Sequence, residues 1–209
     1  MGTRLRYAKL VFCIVLLVAT ATAAAEASAQ TRLLGLSCSG STSQPFAAWG
    51  DYASYYLAPN GGLEGGSTGW SLTGGASVVT GNEPFLGSGT RSLSLPSGSS
   101  ATSPTTCIGT LNMALRMFVE DSGGTDSGLR VRVYWYGLLN SLLGVTDYAT
   151  FAPGTSWQPS SKVSTIGGVN LLVPLLGSTS ARVKLTPLGS GSAWNVDDLY
   201  VDPLASRCC

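Results

Sequence analysis

The sequence predicts an all-β fold, an antiparallel β-sandwich of jelly-roll type, and three observations lead to it. Apolar and polar residues alternate in several short, separate stretches, the pattern of strands with one buried face. Clusters of Gly, Pro, Ser and Asn fall between them and supply turns. No segment sustains a helical period: the best candidate, Leu138-Leu139 with Leu142-Leu143, is interrupted by Asn140-Ser141 and flanked by Gly137 and Gly144, which reads as a hairpin tip or loop. Strands of this kind close two sheets around one core, hence the jelly roll. No repeat of solenoid length and no second low-complexity linker divides the chain.

The chain opens with Arg4, Arg6 and Lys9, an apolar run from Leu10 to Val18, and a small-residue end at Ala27-Ser28-Ala29. That is the layout of a secretory signal peptide, residues 1–29, cleaved after Ala29. Its apolar part is shorter than the ~20 residues a membrane span needs. The remaining residues are therefore expected outside the cytoplasm, secreted or at the cell surface. Residues 30–45 are Ser-rich and read as a flexible linker, residues 46–203 as the sandwich, and residues 204–209 as a Cys-containing tail.

Within the sandwich, Phe46 and Trp49 begin the apolar pattern, and a short strand is expected near Ser54 to Ala58. Asn60-Gly61-Gly62 supplies turn chemistry, and Trp70 and Leu72 then share a face. The clearest alternation is Ser92-Leu93-Ser94-Leu95-Pro96. Similar patterns recur at Leu115-Met117-Val119, at Leu129-Val131-Val133-Trp135, from Val145 to Phe151, at Ala181-Val183-Leu185, and from Trp194 to Val201.

Composition removes several function classes. There are 0 histidines, which excludes Ser-His and Cys-His nucleophiles and zinc sites with imidazole ligands. Taking Arg4, Arg6, Lys9 and Glu26 from the 12 basic and 11 acidic residues leaves one more acid than base, a balance that argues against general nucleic-acid binding. Beyond the leader, Cys38, Cys107, Cys208 and Cys209 remain, an even set suited to an oxidising compartment. Of the possible pairings, Cys38 with Cys107 is the preferred one; closing that loop is worth about 4 kcal/mol on a chain-entropy estimate. Adjacent cysteines close a strained ring, so Cys208 and Cys209 either link to a second chain as a disulfide-bonded dimer or remain free in a disordered tail.

Gly61-Gly62-Leu63-Glu64, then Gly69-Trp70-Ser71-Leu72, and at the far end Trp194-Asn195-Val196-Asp197-Asp198-Leu199 together resemble secreted bacterial carbohydrate-binding-module-like domains of the galactose-binding jelly-roll type. The match spans the mature chain in order, with Leu63 where phenylalanine is usual. The resemblance implies a sandwich without catalytic residues and a structural calcium ion between first turn and last strand. Calcium wants oxygen ligands, so Glu64 and Asp197 with nearby carbonyls are the expected clamp, and Asp198 an additional ligand. The plainer alternative has Glu64 capping a turn while Asp197 and Asp198 face solvent on an edge strand.

Alternation also sets Arg130, Arg132, Tyr134 and Tyr136 opposite the apolar residues of their strand, Arg182 and Lys184 opposite theirs, and Arg116 and Phe118 opposite Leu115 and Met117. If these strands share a sheet, its outer face is basic and aromatic, which suits a polysaccharide, an acidic one above all: rings cover sugar faces and guanidinium forks grip hydroxyls or carboxylates. Trp157, beside a loop, is a further candidate wall. The bland reading is a solvated sheet face whose basic stems cover apolar surface. The functions in view are thus a noncatalytic glycan-binding module for cell-envelope or acidic polysaccharide, a structural or adhesive surface protein linked through its cysteine tail, and, last, a glycoside hydrolase or lyase using Glu64 with Asp197.

Overall fold

The computed structural model describes residues 41–87, 89–107, 114–124, 127–137, 140–151, 154–164 and 180–202. The expected signal peptide, most of the linker, Cys38, Leu138-Leu139 and the Cys208-Cys209 tail lie outside these residues.

Among the described residues the strands are β1 (Tyr56–Leu57), β2 (Ser71–Thr73), β3 (Ser77–Thr80), β4 (Arg91–Pro96), β5 (Ser100–Thr102), β6 (Thr106–Cys107), β7 (Ala114–Asp121), β8 (Gly128–Tyr136), β9 (Leu142–Phe151), β10 (Gln158–Pro159), β11 (Val163–Ser164), β12 (Ser180–Leu188) and β13 (Ala193–Asp202). One 3-10 turn, Ala47–Trp49, precedes them. The strands form two sheets whose pairings are all antiparallel. The first runs β10-β7-β13-β4-β3, with β1 beside β13 and β11 beside β7. The second runs β2-β5-β12-β8-β9, with β6 beside β12. This is the β-sandwich that the alternation predicts.

Period-two alternation places the core. Leu93 and Leu95 of β4, Leu115, Met117 and Val119 of β7, and Trp194, Val196 and Val201 of β13 face Val131 and Val133 of β8 and Val183 and Leu185 of β12, all essentially removed from solvent. Trp194 Nε1 donates to Ser127 Oγ at 2.8 Å, so its one polar atom is satisfied inside the sandwich.

Three expectations change. Leu142-Leu143 belongs to strand β9, which starts at Leu142, immediately after Ser141, whose carbonyl accepts from Gly137 N–H at 2.9 Å. Arg116 and Phe118 do not join the basic face, because β7 lies in the first sheet and its outer side is covered. The segment around Phe46 and Tyr55 folds across it, and Phe46, Tyr55 and Phe118 make a second buried cluster. Arg116 is consumed there, its guanidinium 4.6 Å over the Phe46 ring and 2.8 Å from Asp51 Oδ2. The expected linker also ends inside the fold: Ser43 bridges to Tyr55, and Pro45 is buried.

Leu185 is fully buried in the core between the sheets. Truncating it, Leu185→Ala, lowers stability by ~2–5 kcal/mol in a denaturant titration, with the slope of the transition unchanged.

Candidate functional site

The outer face of the second sheet is built by strand register. On β8, Leu129, Val131, Val133 and Trp135 enter the core, which turns Arg130, Arg132, Tyr134 and Tyr136 outward. On β12, Ala181, Val183 and Leu185 enter the core, which turns Arg182, Lys184 and Thr186 outward. The strands pair directly, with Tyr134 opposite Arg182 and Arg132 opposite Lys184. The condition on which a shared basic face depended, that these two strands lie in one sheet, is met by this pairing. All six of these arginine, lysine and tyrosine residues are half-buried.

The face changes character along its length. At the Tyr136 end, Leu142 stands opposite Tyr136 and Val145 opposite Tyr134, both exposed. Arg182 lies 5.0 Å over the Tyr136 ring and donates from Nε to Thr105 Oγ1 at 2.8 Å. Further along, Arg132 pairs with Asp147 through both Nε and Nη2. The carboxyl of Asp147 is held below its ordinary range, first by that hydrogen bond and also by the charges of Arg132 and Arg130. Arg130 then faces Thr186 across the ladder, and its Nε is buried with no hydrogen-bond partner. Trp157 is not part of this face. It packs against the Phe46, Tyr55 and Phe118 cluster on the far side of the first sheet.

Charge is segregated between the sheets. The strands of the second sheet carry Arg130, Arg132, Arg182 and Lys184 against a single acid, Asp147. Those of the first carry Glu120, Asp121, Asp197, Asp198 and Asp202 against Arg91 and Arg116.

The acids of β13 occupy a break in its pairing. Its first half pairs with β4 up to Val196, and its second half pairs with β1 at Tyr200 and Val201. Between them the register against β7 shifts and Asp198 adopts φ 52°, a bulge in the left-handed region. The first turn fills the break: Ala58 N–H donates to Leu199 O at 2.9 Å, and Leu199 N–H to Gly61 O at 3.2 Å. A Cβ at Gly61 would lie 2.8 Å from the backbone Leu199 O, so the close approach needs glycine there, and one at Gly62 would lie 2.8 Å from Asp198 Oδ1 and push that side chain aside. Asp197 satisfies freed backbone groups, accepting from Glu83 N–H at 3.2 Å and Asp198 N–H at 2.8 Å.

Glu83, which no sequence pattern singles out, joins this cluster from the β3–β4 connection. It is fully buried and accepts from Phe85 N–H at 2.5 Å and Leu86 N–H at 3.0 Å. Glu64 is spent differently: its carboxylate accepts from Thr90 N–H at 2.7 Å and Arg91 N–H at 2.9 Å, a loop cap. Burial, then the charges of Asp198 and Glu83, push Asp197 up to about 8. Burial, then Glu83 and Glu64, push Asp198 up to about 6. Asp198 Oδ2 is buried without a hydrogen-bond partner. An orphaned carboxylate oxygen among oxygen-only donors fits a hard cation. Among the described residues, no three acidic or cysteine side chains form a group that would hold a metal ion by themselves.

Cys107 is disulfide-bonded, and the Cys38 end of the expected pairing lies outside the described residues.

No family model matches the chain, and no curated protein matches it. Among solved structures, the chain is similar to the enzymatically active domain of bacteriophage CBA120 tailspike protein 4 at 16% identity and a TM-score of 0.51, covering 69% of this chain and 21% of that one. The fold is what that likeness shows. Other similar structures include family 22 and family 61 carbohydrate-binding modules. One is the family 22 module with the GH10 module of Clostridium thermocellum endo-1,4-beta-D-xylanase 10B, complexed with xylohexaose (16% identity, TM-score 0.48, 73% of this chain, 29% of that one). Another is TmCBM61 in complex with β-1,4-galactotriose (15% identity, TM-score 0.46, 69% of this chain, 96% of that one).

The raised carboxyls fix the sign of a pH dependence. Asp197 and Asp198 bind protons more readily folded than unfolded, so their contribution is fully present below the ordinary carboxylate value of 3.8 and is lost as pH rises from there through about 6 and about 8. In cation-free buffer the thermal midpoint therefore falls between mildly acid and mildly basic pH, and Asp197→Asn flattens that slope.

Proposed function

We propose that this chain is a noncatalytic glycan-binding module acting outside the cytoplasm on cell-envelope or acidic polysaccharide, and that the outer face of β8 and β12 is its binding surface. The observation that carries this reading is the facing register of Tyr134, Tyr136, Arg130, Arg132, Arg182 and Lys184 on one half-buried sheet face. Tyrosine rings offer apolar area with little conformational freedom to lose, and the guanidinium groups supply directional donors to hydroxyls and anionic substituents. Xylohexaose and β-1,4-galactotriose are ligands of two structural neighbours, whereas the reading here rests on this chain's own side chains. A catalytic role for Glu64 with Asp197 is disfavoured by their surroundings. Glu64 is committed to two backbone donors, and Asp197 is 2% exposed.

Calcium belongs to the same proposal as a structural ion. Asp198 and Asp197 would hold it, with backbone carbonyls completing the shell, and Glu64 would join them only by exchanging its bonds to Thr90 and Arg91. Bound there, it neutralises buried carboxylates and ties the first turn to the last strand.

Retention of residues 30–209 on a panel of neutral and acidic polysaccharides tests the binding surface. Selective retention is expected, with Tyr134→Ala weakening it about tenfold or more at an unchanged melting midpoint. Failure to bind any member, or unchanged affinity in that variant, rules out this face. The ion is tested separately by melting: added calcium raises the midpoint, chelator reverses it, and Asp198→Asn removes the increment. A midpoint indifferent to calcium rejects the ion and leaves the glycan reading intact.

A further inference from the structure

We infer that Arg130 and Lys184 form a discrete oxyanion subsite on the outer face, so that the module reads an anionic substituent, a carboxylate or sulfate, on a glycan seated along β8. This rests on the glycan-binding reading of the same face and adds which side chains recognise charge.

The four cations of the sheet are not equivalent. Arg132 has its fork filled by Asp147, and Arg182 is committed to the Tyr136 ring and Thr105. Among the described residues, Arg130 Nε has no hydrogen-bond partner, although it is buried. Leaving a charged donor out of water without an acceptor is costly, and a ligand oxyanion that draws the guanidinium outward gives it the acceptor it lacks in the sheet. Lys184 stands diagonally across the ladder, since Arg130 faces Thr186 and Lys184 faces Arg132. Diagonal neighbours on paired strands lie about 7–8 Å apart, within joint reach of one oxyanion for two long side chains. On its other side Lys184 faces Thr102 of β5, so no acid competes for it across either ladder.

The position of the pair also sets ligand size. Four residues of extended chain separate Arg130 from Tyr134, about 13 Å along β8. A ligand that stacks on the tyrosine end and reaches the cation pair is an oligosaccharide or polymer, and a free monosaccharide is too short. Arg132 between the two ends keeps its guanidinium on Asp147 and leaves hydroxyl contacts to that stretch. The face therefore has an aromatic half, where Arg182 is held by Tyr136 and Thr105, and a cationic half, where Arg130 and Lys184 are left to meet a ligand's charge.

Affinity electrophoresis of the full mature chain through polygalacturonate, carboxyl-reduced polygalacturonate and dextran sulfate tests the subsite. Arg130→Gln and Lys184→Gln each lower affinity for polygalacturonate about tenfold while leaving affinity for the carboxyl-reduced polymer unchanged. Arg91→Gln, which removes a cation from the other sheet, changes neither. Dextran sulfate separates the two substituents: retention comparable to polygalacturonate marks a general oxyanion subsite, and weaker retention marks a carboxylate one. Equal retention on native and reduced polymer in wild type and variants overturns the subsite while the glycan reading stands. An equal loss in Arg91→Gln overturns it as unspecific charge attraction. No retention on any polymer overturns the glycan reading and the subsite with it.

Discussion

Strand β13 has to change neighbours halfway along, and much of the molecule follows from how that is done. Up to Val196 it lies between β7 and β4, and from Tyr200 onward it lies between β7 and β1. At the changeover neither ladder can satisfy the backbone, and buried groups left unpaired there are expensive. The bulge at Asp198, the glycine turn and the Asp197 carboxylate supply the missing partners together. The two distant stretches that look alike to their counterparts in sequence, the Gly61-Gly62 turn and the Trp194–Leu199 strand, therefore meet because each completes the other's hydrogen bonding. The electrostatic result is a knot of buried carboxylates, with Glu83 drawn in from a third segment.

Segregated charge is the second consequence of the topology. Counted over the whole chain, acids and bases nearly cancel, and that balance says little about any surface. Sorted by sheet, the acids gather around β13 and β7 and the bases around β8 and β12. A nearly neutral chain thus presents a locally cationic face without the self-repulsion or unspecific attraction of a strongly basic protein. The core between the sheets keeps the two populations from neutralising each other.

What the sequence made legible was whatever is local. Period-two alternation marked β4, β7, β8, β12 and β13 and assigned each residue to a face, because side-chain direction in a strand depends only on neighbours in the chain. Which sheet a strand joins is not local. Arg116 and Phe118 have the same alternating pattern as Arg132 and Tyr134, yet β7 belongs to the other sheet and is covered by the Phe46 segment. Leu142-Leu143 looked like a turn because glycines flank it, and pairing with β8 overrides that local signal. Glu83 was invisible for the same reason. Its role depends on a contact 114 residues away, and the only nearby signal, Asn82-Glu83-Pro84, is that of an ordinary loop.

The two charged regions also differ in what they cost the fold. Carboxylates at the β13 changeover are enclosed, so their ionisation is coupled directly to folding, and any change there alters stability first. The cations of β8 and β12 keep their stems against the sheet and their charges at a half-buried surface, where loss of one charge leaves the core undisturbed. Arg132 and Arg182 are held by partners of this chain, which fixes the shape of the face without any ligand. Arg130, with a buried donor unmet, is the group whose cost the isolated fold does not offset. On the proposed glycan-binding reading, a face whose Arg132 and Arg182 are already paired and whose Arg130 lacks an acceptor has less to reorganise when a ligand brings one, and such preorganisation is where binding surfaces of modest area gain their affinity.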